Sequence, residues 1–268
     1  MDHEWLIKFL EHDIADKKLI RLIRKFLKAG VMENGKLMDK TEGSPQGNIL
    51  SPILANVYLH YVLDLWFERI VKRQSSGEAY MVRYADDSVW VFQYENDAKR
   101  FLEQLKERLR KFGLEIAEDK TRMLEFGRYA QERRAKRELG RPETFNFLGF
   151  TFACGKAKFN DKFCLKIQTD RKRMPEKLKK LKCWLLDNRS LPAREIVKRV
   201  NQSLLGHFNY YGIPTNTRQL NAFKRKVEEI LFRVLNQRSQ RKSYTWDEFK
   251  SKILGKFPWA KPGIYAYI

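Results

Sequence analysis

The chain has 268 residues, with 54 Lys+Arg against 33 Asp+Glu, a net charge of +21. Hydrophobic residues at 43% suffice for a core and exclude wholesale disorder, and no apolar run reaches the roughly 20 residues of a membrane span. Met1–Glu4 lacks a basic and apolar leader, and Cys154, Cys164 and Cys183 show no Cys-x-x-Cys or zinc-ligand spacing; a reducing, cytoplasmic setting (bacterial or organellar interior) is therefore expected, with no secretion and no membrane partner.

In chain order, Trp5, Leu6, Phe9, Leu10 and Ile14 keep helical spacing, as do Leu19, Leu22, Ile23 and Phe26. Gly30 and Asn34-Gly35 end that region. Gly43–Gly47 is a Gly/Pro loop, and Ile49–Val71 predicts a long buried helix. Ser75–Gly77 is a loop. Ala79–Phe92, rich in Val, Tyr and Trp, predicts a hairpin with Asp86-Asp87 at its turn. Asn96 is the expected cap of a helix over 98–112, and Gly113 its stop. Arg128–Arg141 is a basic connector. Thr144–Phe152 is strand-like, and Ala157–Ile167 predicts another short hairpin. Three helices follow at Pro175–Asp187, Ala193–Tyr211 and Arg218–Asn236, then a short one near Trp246–Leu254.

The charge is uneven along this order. Residues 1–120 hold 20 Lys+Arg and 20 Asp+Glu, and residues 121–268 hold 34 and 13. All the excess lies in the later part. It is either a solvated basic surface or a face for a polyanion, most simply nucleic acid.

Two segments point to chemistry. In Tyr84-Ala85-Asp86-Asp87, adjacent carboxylates at the turn of an apolar hairpin repel each other and lose solvation if buried. A divalent cation offsets both costs, and hard oxygen ligands suit Mg²⁺. The alternative is an ordinary exposed Asp-Asp bend. In Gly43-Ser44-Pro45-Gln46-Gly47, a Gly/Pro loop opening an apolar helix offers backbone N–H groups and a polar arm, Gln46, to a substrate.

Together these segments resemble the reverse transcriptases and maturases encoded by group II introns. Ser44–Leu59 and Tyr84–Asp87 are similar to polymerase motifs B and C. Gly113–Thr121 is similar to motif D, Phe147-Leu148-Gly149-Phe150 to the primer grip, and Val200–Tyr211 to the maturase-specific thumb. The resemblance covers roughly residues 2–250. It implies an α+β fold, an incomplete right-hand palm over 1–155 followed by a helical thumb over 156–268. The implied function is RNA-directed DNA polymerase, extending a primer by two-metal nucleotidyl transfer with two Mg²⁺ ions. The alternative is a non-catalytic module that binds intron RNA; a third reading is a degraded reading frame.

The implied roles are as follows. Asp86 and Asp87 are catalytic and hold metal. Ser44, Pro45, Gln46 and Gly47 line the nucleotide and template pocket. Lys120 sits near the triphosphate, or is one more exposed lysine in an Asp-Lys-Thr turn. Phe147, Leu148 and Gly149 hold the primer, or are plain core. Arg171, Lys172, Arg173, Lys179, Lys180, Lys198, Arg199, Lys224, Arg225 and Lys226 contact RNA. The implied partners are an RNA template, an RNA–DNA duplex, deoxynucleoside triphosphates and a structured intron RNA. Met1 aligns just past the family's first catalytic strand. The expectation is therefore a chain inactive alone, in need of a separate N-terminal fingers fragment and without an appended nuclease module. Two further departures are Asn48, where Gly is usual, and His207-Phe208, where the thumb motif usually has Trp.

Overall fold

Asp2 opens the first helix. Its carboxylate accepts from the backbone N–H groups of Glu4 (2.8 Å) and Trp5 (3.0 Å), capping α1 (His3–Asp13). Asp16 accepts from Lys18 and Leu19 in the same way at the start of α2 (Lys17–Lys28). The computed structural model describes residues 1–28, 31–33, 36–38, 50–157, 160–238 and 244–265. Gly30, Asn34-Gly35 and the Gly43–Gly47 loop lie outside the described residues. Two short strands, β1 (Val31–Glu33) and β2 (Lys36–Met38), pair antiparallel.

Pro52 sits in the first turn of α3 (Ser51–Leu59), where its missing N–H costs nothing. The helical path runs on through two wider π-type turns, His60–Asp64 and Phe67–Val71, to α4 (Lys72–Gln74). It buries Leu54, Tyr58, Val62, Phe67 and Val71, as the apolar pattern predicts. The Tyr58 hydroxyl donates to the Phe112 carbonyl, and burial pushes its pKa up to about 12. The hairpin follows as β3 (Ala79–Tyr84) and β4 (Asp87–Phe92).

Next comes α5 (Glu95–Lys111). It starts before the expected cap: Tyr94 takes the cap position and Asn96 lies inside the first turn. The reason is Asp97, 3% exposed, which turns back to accept from the N–H and hydroxyl of Ser76. The first helical turn is thereby spent on holding the 75–77 loop. Gly113, at φ +64°, closes the helix as expected.

The chain divides into two compact units, Met1–Met123 and Leu124–Ile268. The first holds the elements above around one core. In the second, α6 (Ala130–Lys136) lies inside the stretch read as a connector. It buries only Ala130, so it carries no apolar stripe. Its support is charge pairing, Glu132 with Lys136 at 3.0 Å and Glu125 with Arg133 and Arg137 at 3.8 Å each.

Strands β5 (Phe145–Phe147), β6 (Phe150–Lys156) and β7 (Phe163–Thr169) form one antiparallel sheet in that order. The expected separate hairpin over 157–167 is replaced by β7 pairing on β6. Cys154 lies opposite Leu165 and Cys164 opposite Gly155. One step of register puts the two thiols on opposite faces, and all three cysteines are free. Helices α7 (Arg173–Asp187), α8 (Ala193–Tyr211) and α9 (Thr217–Asn236) follow close to their expected bounds. Then comes α10 (Trp246–Phe249), which opens with a Thr245/Glu248 capping box. No helix among the described residues is long and apolar enough to cross a membrane.

Asn216, fully buried, ties the sheet to the helices. Its Oδ1 accepts from the Thr169 N–H, and its Nδ2 donates to the Thr169 hydroxyl and the Tyr211 carbonyl. Thr215 Oγ1 completes the edge by bonding both the N–H and the carbonyl of Ile167. Two side chains thus stand in for a further strand along β7.

His207 is the odd residue of this core. It is 1% exposed, stacks on Phe223 at 3.8 Å, and both ring nitrogens are without a hydrogen-bond partner. Burial, with Lys177 adding a smaller repulsion, lowers its pKa to about 3. The unfolded chain, with an ordinary histidine near 6.5, therefore takes up a proton that the folded chain refuses. Stability is flat above about pH 6.5 and falls as the pH drops toward 3. We expect urea unfolding of this unit to lose about 2 kcal/mol between pH 7.5 and pH 5 from this residue. His207→Phe should remove that slope and add about 1–3 kcal/mol at neutral pH by deleting two unsatisfied buried atoms. An unchanged slope in the variant would assign the acid sensitivity elsewhere.

Candidate active site

A two-stranded hairpin is marginal by itself, so the hairpin bearing Asp86 must be held by what packs on it. Alternation sets its two faces. Ala79, Met81 and Arg83 lie opposite Phe92, Trp90 and Ser88 on one face. The rings of Phe67, Trp90, Phe92 and Phe101 meet there with centroids 4.6 to 6.2 Å apart. On the other face Tyr80 pairs with Val91, Val82 with Val89 and Tyr84 with Asp87. Here Tyr80, Val82, Tyr84 and Val91 are each more than half exposed.

Tyr84 and Asp87 face each other across the ladder, so the loop itself is Ala85-Asp86 and Asp87 begins β4. Ala85 has φ +54°, a left-handed conformation that costs an L-residue roughly 1–2 kcal/mol. Asp86 and Asp87 are both exposed. This puts one carboxylate at the apex and the next at the first strand position, open to solvent, on a base anchored in the core. Hard oxygen donors there suit Mg²⁺, which keeps waters and shares its shell with phosphates. The pair fits as part of a metal site. Among the described residues no group of three or more acidic, histidine or cysteine side chains converges on one point, so further ligands must come from substrate, water or another segment.

The sequence pattern did not single out the residue that holds this turn. Arg83 occupies the last inward position of β3, with its side chain 10% exposed. It donates to both Asp64 carboxylate oxygens (2.7 and 2.6 Å), to Asn56 Oδ1 (2.9 Å) and to the Ala85 carbonyl (2.8 Å). The available signal was parity: an arginine in line with Ala79 and Met81 must find an acid inside.

The other expected site residues fall in several places. Ser44, Pro45, Gln46 and Gly47 lie outside the described residues. Lys120 is exposed, in a turn closed by the Lys120 and Thr121 N–H groups on the Ala117 carbonyl. Phe147, Leu148 and Gly149 belong to the second unit, where Leu148 (φ +49°) and Gly149 (φ +75°) make the two-residue turn between β5 and β6. The Tyr210 hydroxyl donates to the Leu148 carbonyl (2.9 Å), and Asp170 N–H to the Gly149 carbonyl (2.9 Å).

Residues 124–268 hold 33 Lys+Arg against 13 Asp+Glu. Of the cations expected to meet RNA, Arg171, Lys172, Arg173, Lys179, Lys180, Lys198, Arg199 and Lys226 are exposed. Lys224 is half-buried and pairs with Glu228 at 3.7 Å, and Arg225 pairs with Glu229 at 3.2 Å.

Residues 1–152 match the family described as reverse transcriptase (RNA-dependent DNA polymerase). Residues 172–253 match the group II intron, maturase-specific domain. The chain is similar to the group II intron-encoded protein LtrA of Lactococcus lactis subsp. cremoris, at 29% identity over 85% of this chain and 49% of that protein. It therefore spans about half the length of this relative. Shorter stretches are similar to the putative COX1/OXI3 intron 1 protein of Saccharomyces cerevisiae (37% identity, 29% of this chain, 9% of that protein). Another matches protein YkfC of Escherichia coli K12 (36% identity, 29% of this chain, 19% of that protein).

The two tight turns respond oppositely to a methyl group. Ala85→Gly relieves the left-handed alanine and should stabilise the first unit by about 0.5–1 kcal/mol. Gly149→Ala should cost the second unit more than about 1 kcal/mol, because a Cβ there would lie 2.8 Å from the Tyr211 hydroxyl oxygen. Urea unfolding of both variants checks the pair; equal signs would refute the turn geometry.

Proposed function

Because the chain belongs to the group II intron-encoded reverse transcriptase/maturase family, we propose that it is part of an RNA-directed DNA polymerase that extends a primer by nucleotidyl transfer. In this reading residues 1–155 are the partial palm and 156–268 the thumb. The observation that carries it is the exposed Asp86 apex at a left-handed Ala85, on strands packed into an aromatic core.

Asp86 and Asp87 would hold Mg²⁺, which when bound supplies charge stabilisation on the attacking and leaving oxygens. Their own part is to keep two anionic oxygens fixed at a solvent-open turn. The Ser44–Gly47 loop, on the strength of the family resemblance, would line the nucleotide and template pocket, with Gln46 as its polar arm. Lys120 would bring positive charge to the leaving pyrophosphate. The Phe147–Gly149 turn, clamped by Tyr210 through the Leu148 carbonyl, would present a fixed backbone to the primer. The exposed lysines and arginines of α7 to α9 would neutralise backbone phosphates without reading sequence. RNA, an RNA–DNA duplex and deoxynucleoside triphosphates are the proposed ligands.

Two-metal transfer needs carboxylates from a second element. A polypeptide of these 268 residues alone should give no primer extension on an RNA template with Mg²⁺ and deoxynucleotides. Adding the N-terminal fingers and first strand of a close relative should restore extension, and Asp86→Ala should return it to background. Extension by the 268 residues alone, lost in Asp86→Ala, would overturn the need for a second element. Extension insensitive to Asp86→Ala would overturn the site.

A second reading, binding of structured intron RNA without catalysis, is favoured by the concentration of exposed cations in the second unit. Here Lys179→Gln, Lys180→Gln and Lys226→Gln together should weaken binding to unrelated RNAs alike. The slope of log K against log[salt] should shrink by about 2. Lys224→Gln, already paired with Glu228, should change that slope least. An unchanged slope in the triple variant would move the RNA face off these helices.

A further inference from the structure

Arg83 is placed where its chemistry is costly and its contacts are unusually complete. The guanidinium is nine-tenths buried and meets Asp64 side-on with two parallel bonds of 2.6 and 2.7 Å. One remaining nitrogen is shared between Asn56 Oδ1 and the Ala85 carbonyl. Asn56 belongs to α3 and itself donates from Nδ2 to the Pro52 carbonyl (3.0 Å). Asp64 ends the π-type turn His60–Asp64 and has His60 Nδ1 at 3.3 Å. One rigid fork thus joins three things: the helix that starts at Ser51, the widened turn after it, and the peptide between Ala85 and Asp86.

A buried ion pair is a weak way to gain stability, since apolar residues of similar volume often do as well or better. What a planar, five-donor group adds is orientation. The Ala85 carbonyl is the acceptor that matters, because its peptide plane sets the direction in which the Asp86 side chain leaves the backbone. The two-residue loop puts Ala85 in the left-handed region, and the bond from Arg83 to its carbonyl holds the plane of the peptide that leads to Asp86.

We infer that Arg83 is the positioning residue of the carboxylate turn: acting through the Ala85 carbonyl it fixes the aim of Asp86, and through Asn56 it makes α3 and the turn move as one body. This rests on the proposed metal-holding role of Asp86 and deepens it. Arg83 touches no reacting atom in this scheme; Asp86 does.

The test uses the 268-residue chain, Mn²⁺ alone as the probe, and amide ¹H–¹⁵N spectra as the readout. In the wild type, Mn²⁺ should broaden the Ala85–Ser88 amides selectively, and Asp86→Asn should abolish this. The informative variant is the charge-balanced double substitution Arg83→Met with Asp64→Leu. It removes the ion pair as a unit, so the fold and the net charge near the turn are kept, while the Ala85 carbonyl loses its donor. We expect a thermal midpoint close to wild type but at least about a tenfold higher Mn²⁺ midpoint for the turn amides, since a carboxylate of undefined aim loses preorganisation. A folded double variant that binds Mn²⁺ like the wild type would make Arg83 merely structural and overturn the inference. Should the double variant not fold, Arg83→Lys decides instead. One ammonium has three donors for the four acceptor atoms that Arg83 serves and no planar fork to aim them, and wild-type Mn²⁺ binding there overturns the proposal equally. Absence of turn-selective broadening in the wild type itself would fail the metal reading of Asp86, and the inference with it, whereas a failure confined to the Arg83 variants leaves that reading standing.

Discussion

Phe67 is fully buried where Trp90, Phe92 and Phe101 converge, and the place of Asp86 follows from that contact. Two strands cannot hold their own twist and register against solvent on one face. The edge-to-face rings supply the missing face, and they can do so because Trp90 and Phe92 alternate with outward positions on β4 while Phe101 projects from α5. With the inner face fixed, the register Tyr84↔Asp87 is fixed. The loop is then two residues long, so Ala85 must turn left-handed. The exposed carboxylate at the apex is thus a consequence of aromatic packing four to six residues away. Arg83 then finishes locally what the core starts.

The second unit solves a similar problem differently. Its three-stranded sheet leaves β7 with one edge to satisfy, and Thr215 and Asn216 meet it with side chains from the junction between α8 and α9. The same junction lies just past Tyr210 and Tyr211. Phe150 stacks on Tyr210 and meets Tyr211 edge-on, at centroid distances of 5.8 and 5.0 Å. The turn expected to touch a primer is therefore referenced to the end of α8, the longest continuous apolar stripe in the unit apart from α9. A displacement of α8 along its axis would move the Leu148 carbonyl with it, because the Tyr210 hydroxyl bond joins the two directly.

How much of this was legible depends on where the stabilising information resides. The three long helices of the second unit bury stripes at helical spacing, so their bounds could be read to within two residues. The hairpin was legible for the same reason, since Tyr80 to Phe92 alternates. The bulk of the misreadings are places where a side chain serves something other than its own element. Asn96 looked like a cap, but Asp97 was committed to Ser76. Helix α6 had no apolar stripe to show, only charge pairs. Cys164 and its neighbours looked like half of a new hairpin because the partner strand was already named as something else. At the site, Asp86 announced itself through the doubled acid, whereas Arg83, Asn56 and Asp64 are spread over 27 residues and become one cluster only once α3 and β3 are packed. A polar residue at an inward strand position was the visible trace of that cluster, and it asks for a partner without saying where the partner is.

The division of charge bears on how such a chain could do both jobs. Residues 1–123 hold 21 Lys+Arg and 20 Asp+Glu, so their net field is nearly neutral, and almost the whole excess of +21 belongs to the other unit. A turn that must attract a divalent cation works against any strong positive field around it, and a surface that grips a polyanion needs one. Placing both tasks on one surface would set them against each other, because each lysine that tightens a hold on phosphate raises the cost of bringing a divalent cation close by. The sequence divides its charge between the two compact units, near balance in one and a large positive excess in the other. Arg83, the cation bonded to the Ala85 carbonyl, is paired with Asp64. The helices of the second unit carry Lys or Arg at many of their exposed positions, among them Lys179, Lys180, Lys198, Arg199 and Lys226. On this argument the Arg83–Asp64 pair has an electrostatic part to play as well as a geometric one: it brings a donor to the Ala85 carbonyl while adding no net charge to the turn.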